Sequence, residues 1–379
     1  MNVAFRVAFR RLFAARLLGT VSLRFAYPFL PTIADGLGTD LATIGVGVAG
    51  GEIAGLLAPL IGRRLDRIGR RRGMTDGLVV SAAGCVGVAL APHVAVFGVA
   101  LFFVAIGRYL FDVSFGAWIG DEVPFERRGR ALGLGELTWS GAFLLGVPVA
   151  GLLASVTTWR VPYALSAVIL LASIPVVRAT LETKVAGAKN TKPAAGHARP
   201  TWLHAAVFAL SLGAALFFVT EGAFFETDLG MSDRTISAVV ILLGVGEVIG
   251  SLLSAFLADR VGKRVAVMAG IVVLVPAALG FSLAGSLDAV GIAAALAVGL
   301  GFELAFVSAL PLVVEVDESH RAAAMGLAVA GLTGARTLAA VVGTRLFAEH
   351  GIDAVVLVSV PALVVAFGVV LLRVREPAQ

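Results

Sequence analysis

"GRRLDRIGRRRG", residues 62–73, sets six arginines within ten positions of a chain whose mean hydropathy is +0.96 and whose residues are 59% hydrophobic. Soluble domains carry about 45 to 50% apolar and about 25% charged residues; here the charged share is 15%. The stretch is a charged island in a chain built for lipid. On either side of it, apolar runs of about 20 residues recur, each long enough as a helix to cross a ~30 Å hydrocarbon core. Twelve spans are predicted, at 9–31, 42–62, 74–92, 94–118, 131–154, 161–178, 202–225, 235–257, 265–286, 289–313, 322–347 and 352–372.

The runs are rich in Gly, Ala, Val and Leu and lack short-period alternation, which fits helices and not a β-barrel. The 45 glycines suit close helix packing in lipid. The basic, then apolar, N-terminus resembles a signal peptide, but its apolar run is long and has no clear small-residue cleavage site, so it reads as an uncleaved first span. Cys85 is the single cysteine and excludes an intrachain disulfide.

Net charge is +5, yet its distribution argues against a nucleic-acid partner. With both termini on one side, 24 Lys and Arg fall on that side and 3, Arg160, Arg234 and Arg345, on the other. Such a bias predicts cytoplasmic termini in a multi-pass cell-membrane protein. The opening stretch then forms a cytoplasmic turn between spans two and three.

A shift of 193 residues lays "DRIGRR" (66–71) on "DRVGKR" (259–264), Glu122 on Glu315, Arg128 on Arg321 and Gly133 on Gly326. One offset serving two loops implies duplicated six-helix halves in parallel orientation, 1–179 and 201–379, joined by a polar cytoplasmic linker at 180–200.

On these residues the sequence resembles the major facilitator superfamily over essentially its whole length. The family's loop, G-x-x-x-D-R-x-G-R-R, is present as Gly62, Asp66, Arg67, Gly69, Arg70 and Arg71; the second copy keeps Asp259, Arg260 and Gly262 but has Ala255 for the first glycine. The resemblance implies an all-α fold of 12 transmembrane helices in two pseudo-symmetric bundles. It also implies that the loop latches the cytoplasmic side. Asp66 is suited to accept hydrogen bonds from a helix N-terminus, and Arg67 to pair with Asp121 or Glu122. In span five, Gly141, Gly146, Pro148 and Gly151, followed by Trp159-Arg160, resemble the glycine-proline bend of the twelve-span efflux branch, including drug-proton antiporters and sugar exporters. Val147 departs from the antiporter's glycine directly before proline. Proline removes a helix hydrogen bond, so a bend is expected there.

Charge inside a bilayer costs at least ~2.5 to 3.5 kcal/mol at the centre, so it should face a cavity or a partner. Arg24, Glu52, Arg108, Asp112, Glu136, Glu221, Glu247, Glu303 and Arg336 lie within span interiors, and the interiors of the third, sixth, ninth and twelfth spans have none. In the family those four helices face lipid. Arg24 is expected to meet Glu52, and Arg108 to meet Asp112 one turn away. Because acids outnumber arginines, some must be neutral or cycle between charge states, which is the chemistry of proton coupling. Asp112, Glu52 and Glu136 are the expected proton sites, with Arg24 and Arg108 as charge partners. Spans one, four, seven and ten hold 20 of the 30 aromatic residues. A cavity lined by Phe25, Tyr27, Phe103, Tyr109, Trp139, Phe217, Phe218 and Phe302, with Glu221, Glu247, Glu303 and Arg336 as second-half contacts, would suit a ring-bearing or amphiphilic solute.

The expected function is secondary active transport of a small organic solute by alternating access, as proton-coupled efflux, driven by a proton gradient with no cofactor or metal and working as a monomer. Proton-coupled uptake is the alternative. A membrane enzyme or a non-transporting sensor is disfavoured: there is no G-x-x-x-x-G-K-[ST], no H-E-x-x-H and no histidine in a span interior.

Overall fold

The computed structural model describes residues 3–26, 29–39, 43–45, 47–48, 53–181, 201–231, 233–284 and 287–376. Tyr27, Glu52 and nearly all of the expected 180–200 linker lie outside the described residues. Every regular element among the described residues is helical. In chain order these are α1 (Val3–Arg24), α2 (Leu30–Leu37), a 3-10 turn (Ala54–Leu57), α3 (Ala58–Ile68), α4 (Arg70–Ala89), α5 (Val94–Glu122) and α6 (Phe125–Gly141). A π turn (Ala142–Gly146) and α7 (Val147–Val156) continue α6, followed by α8 (Arg160–Thr180), α9 (Trp202–Thr227), α10 (Asp233–Val261), α11 (Lys263–Ala284), α12 (Asp288–Glu315) and α13 (Arg321–Arg373).

Eight of these helical runs are long and apolar enough to cross a membrane. The expected first span is not one helix: α1 stops at Arg24 and α2 starts at Leu30, with a proline in its first turn. The eleventh and twelfth spans are two helices joined end to end within Arg321–Arg373 at Gly351, whose φ of 74° and ψ of −171° are not helical.

The duplicated loop has a duplicated backbone. Gly69 (φ 86°) ends α3, and Gly262 (φ 95°) ends α10 at the matching repeat position; both angles are closed to most side chains. The reversal each glycine permits starts the next helix at once. The glycine pair Gly77 and Gly270, also 193 apart, lets neighbouring backbones touch. A Cβ on Gly77 would stand 2.6 Å from the Gly107 carbonyl oxygen, and one on Gly270 2.6 Å from that of Gly301.

Contacts divide the chain into two compact units. The first comprises residues 1–123, 138–198 and 317–330, with α4 packed along α5 and α8, and α1 against α8 and α5. The second comprises 124–137, 199–316 and 331–379, with α12 packed against α9, α10 and α11. These units depart from a simple cut at 180–200: the start of α13 joins the first unit and the start of α6 joins the second.

The third, sixth and ninth expected spans, α4, α8 and α11, expose apolar side chains such as Val79, Val86, Val168, Leu171, Val272 and Leu283, and 352–373 exposes Leu357, Val364 and Leu372. Such faces fit a hydrocarbon surround.

Candidate functional site

Three charge clusters are built from these elements. In the first unit, Asp66 in the last turn of α3 accepts hydrogen bonds from the amides of Ala322 (3.1 Å) and Ala323 (2.9 Å), at the first turn of α13. A carboxylate at that position satisfies unpaired amides and complements the helix dipole. Arg70, one turn on, bridges Asp66 (2.8 Å) and Asp121 (3.0 Å), and Arg321 also reaches Asp121 (3.0 Å). The expected partnership of Arg67 with Asp121 or Glu122 is therefore corrected. Arg70 takes that role because the turn at Gly69 brings position i+4 onto the Asp66 face, whereas Arg67 and Glu122 are exposed. Gly62 permits this approach, since a Cβ there would collide with the Ala322 carbonyl. Arg71 follows at the start of α4, where its carbonyl accepts from Thr75.

The second unit repeats the arrangement. Asp259 accepts from the amides of Gly129 (3.0 Å) and Arg130 (2.9 Å), in the first two turns of α6. Lys263 replaces Arg70, with its ammonium 3.2 Å from Asp259 and 4.3 Å from the Phe125 ring centroid. Arg128 pairs with Glu315. Arg260, like Arg67, is exposed. In each unit the loop aspartate thus holds the start of a helix from the other half of the sequence. Beside the first cluster, Asp317 accepts hydrogen bonds from Ser319 and His320. Burial opposes its charge, but the Ser319 hydroxyl and then His320 outweigh that and hold the carboxyl below the usual carboxylate range.

The second cluster lies deeper in the first unit. Asp112 accepts from Arg16 (2.8 Å) and pairs with Arg108 (2.8 Å). The Arg108 guanidinium stands 4.6 Å from the Trp139 ring centroid, and Arg24 4.1 Å from the same ring while donating to the Trp139 carbonyl (3.0 Å). The result is a row, Arg16, Asp112, Arg108, Trp139, Arg24, with three guanidiniums and one carboxylate. The Arg108 to Asp112 pair was expected. The part of Arg16 was not, because its position beside Arg10 and Arg11 reads as a basic flank. Arg24 meets Trp139 in the described structure, and its expected partner Glu52 is outside it.

The third cluster has the opposite sign. In the second unit Glu303 accepts from Ser251 (2.9 Å) and lies within electrostatic reach of Glu247, Glu136 and Arg336. Glu221 neighbours Glu247, and its Oε2 is buried with no hydrogen-bond partner among the described residues. Glu303 thus has two carboxylates and one guanidinium as electrostatic neighbours, and Glu247 links it to Glu221. Among the described residues no three His, Cys, Asp or Glu side chains are placed to hold a metal.

The aromatic side chains expected in a cavity divide between packed and accessible positions. Phe25 is 1% exposed, stacked on Phe29 and edge-on to Tyr163, and Phe217, also 1% exposed, stacks on Phe281. Both fill space between neighbouring side chains. Phe302 is buried against Phe218 and Phe306. Tyr109 and Phe218 are half-buried and Phe103 is exposed. Aromatic count alone does not separate packing faces from wet ones.

In span five the bend has a local cause. The π turn at Ala142–Gly146 directly precedes Pro148, which stands in the first turn of α7. Such a bulge relieves the clash between a proline ring and the preceding turn. A Cβ at Gly146 would collide with Val21, and one at Gly151 with the Phe29 ring, whereas one at Gly141 would meet Leu17 at an ordinary 3.6 Å.

Known proteins agree with this architecture. The sequence profile of the Major Facilitator Superfamily matches residues 12–214 and again 203–379. An uncharacterized MFS-type transporter, YwfA, of Bacillus subtilis (strain 168) is 30% identical over 141 residues, 35% of this chain and 32% of that protein. The cis,cis-muconate transport protein of Acinetobacter baylyi is 23% identical over 280 residues, 65% of this chain and 68% of its own. The matched stretches thus span from about a third to about two-thirds of these relatives. The crystal structure of the human organic anion transporter MFSD10 superposes with a TM-score of 0.80 at 18% identity, covering 98% of this chain and 100% of that one. With the family profile matching almost end to end and the helices superposing on a solved structure, the chain has the major facilitator fold and belongs to the Major Facilitator Superfamily.

Proposed function

We propose that the protein is a secondary active transporter that moves a small organic acid bearing a ring or conjugated system, by alternating access and coupled to protons. The observation that carries this reading is the opposite charge of the two units' inner clusters. Arg24 and Arg108 flank the Trp139 ring, a combination suited to a carboxylate attached to a flat, polarisable body. Glu303 neighbours Glu247 and Glu136, and Glu221 neighbours Glu247, and protons are the natural means of relieving repulsion between carboxylates held this close in an apolar span. Glu303 then replaces Asp112 as the leading proton site, since Asp112 already has two cationic partners. Relatedness to a muconate transport protein supports the solute class.

Export is the first reading of direction, supported by the glycine-proline bend shared with the efflux branch. Uptake by symport is the second. It is favoured by the placement of cations and acids in different units, which lets solute and proton load together. The loop clusters around Asp66 and Asp259 act as latches, and the 24 to 3 distribution of Lys and Arg puts both termini in the cytoplasm of a cell-membrane protein that works as a monomer.

A thermal-shift screen of the purified protein against dienoic and aromatic carboxylates, sugars and lipophilic cations tests the solute class, and stabilisation by cations alone overturns it. Everted vesicles bearing a proton gradient then test direction: accumulation with proton release means export, and proton-driven accumulation in right-side-out vesicles means uptake. Transport indifferent to a proton gradient in both orientations defeats the coupling.

A further inference from the structure

Away from these clusters, the start of α9, the end of α12 and the residues closing α13 border a half-open cavity of about 210 Å³ in the second unit. Its polar lining is Thr201, Trp202, Glu315, Arg373 and Arg375. Of these, Glu315 is committed to Arg128. The neighbouring acid, Glu376, accepts the amides of Lys263 (3.0 Å) and Arg264 (3.2 Å). Arg264 also donates to the carbonyls of Val370 (3.2 Å) and Leu371, which fixes the last turn of α13 from behind. The acids are spent on protein partners, and two guanidiniums border the cavity. Arg373 lies 5.3 Å from the Trp202 ring centroid, and Arg375 is exposed.

The cavity also adjoins apolar surface. Trp202 is 57% exposed and Leu372 77% exposed. Exposed tryptophan marks the level of lipid headgroups, and basic pockets between transmembrane helices take anionic ones. A soluble anion would have no use for the neighbouring greasy side chains, whereas a phospholipid would lay an acyl chain on them.

We propose that this cavity is a binding site for a phosphate-bearing anion, the headgroup of an anionic phospholipid, held by Arg373 and Arg375 beside Trp202. The site is separate from the charge clusters assigned to solute and proton, so it stands whatever the solute and direction.

The test uses the full-length protein in micelles of an uncharged detergent, titrated with phosphatidylglycerol or phosphatidylcholine carrying brominated chains, which quench nearby tryptophan. Trp202→Phe isolates the Trp202 signal from Trp118, Trp139 and Trp159. Phosphatidylglycerol is expected to quench Trp202 at lower concentration than phosphatidylcholine. Arg373→Gln with Arg375→Gln should weaken that quenching about thirtyfold, the change expected for two interfacial cations. Arg375→Gln alone, an exposed change, should weaken it about fivefold if the double variant does not fold. Inorganic phosphate that displaces the lipid with the same arginine dependence confirms the anion site but assigns it to a soluble phosphate; failure to displace assigns it to the lipid. Equal quenching by both lipids, or full phosphatidylglycerol preference in an arginine variant that folds, overturns the proposal.

Discussion

At the scale of single residues, Asp112 and Glu303 show how the same side-chain chemistry is divided by its surroundings. Asp112 stands between Arg16 and Arg108, so its removal strands two buried cations. Breaking one partner of a buried pair costs about 3 to 5 kcal/mol. Asp112→Asn is accordingly expected to lower the melting temperature of the purified protein sharply, and a variant melting like the parent would show that the triad is not structural. Glu303 has a hydroxyl partner in Ser251 and carboxylates around it. Glu303→Gln keeps that hydrogen bond in reach and the side-chain volume, so the expected outcome is a folded protein that still binds solute while its transport no longer responds to a proton gradient. Retained proton coupling would shift the role to Glu247 or Glu221. Sequence reading found the buried acids and the Arg108 to Asp112 spacing, because charge in an apolar run is conspicuous and i, i+4 geometry is local. It missed Arg16, whose pairing closes across 96 residues.

At the scale of elements, close backbone approach governs the helix pairs. Gly77 and Gly270 sit where α4 meets α5 and α11 meets α12, and any larger side chain must displace a facing carbonyl. Overpacking of this kind costs about 1 to 3 kcal/mol. Gly270→Val is expected to reduce thermal stability in detergent by that order, while Gly368→Ala, where a Cβ would meet nothing within 4 Å, should leave it unchanged. Similar losses in both would mean that glycine acts here through general helix flexibility. The span-five bend was legible from Pro148, but the π turn that accommodates it was not, since a bulge is chosen by the packing of Gly146 on Val21 and Gly151 on Phe29. Aromatic side chains were the least legible. Phe25 and Phe217 lie on aromatic-rich spans, yet their ring partners Tyr163 and Phe281 on other helices place them in the packing.

At the scale of the whole molecule, the duplication gives two aspartates with one job. Asp66 holds the first amides of α13, and Asp259 those early in α6. Losing a carboxylate cap costs about 0.5 to 2 kcal/mol. Asp66→Ala should therefore speed hydrogen exchange at Ala322 and Ala323 by about tenfold and leave Gly129 and Arg130 unchanged, with Asp259→Ala giving the converse. Acceleration at both sites in either variant would show that the two latches are coupled and do not act independently.

The sequence by itself determined a helical membrane chain, a twofold repeat and the loops that mark its family, because apolar length, charge bias and a fixed offset are properties of the chain in order. Only the tertiary structure decided which charges meet. Arg70 in place of Arg67, Arg16 on Asp112, Glu303 beside Glu247 and Glu136, and helix starts held by aspartates from the other half of the sequence all depend on where distant backbones come within hydrogen-bond reach. A charge has no directional signature along the chain, and its partner is fixed only when packing brings the two within about 3 Å.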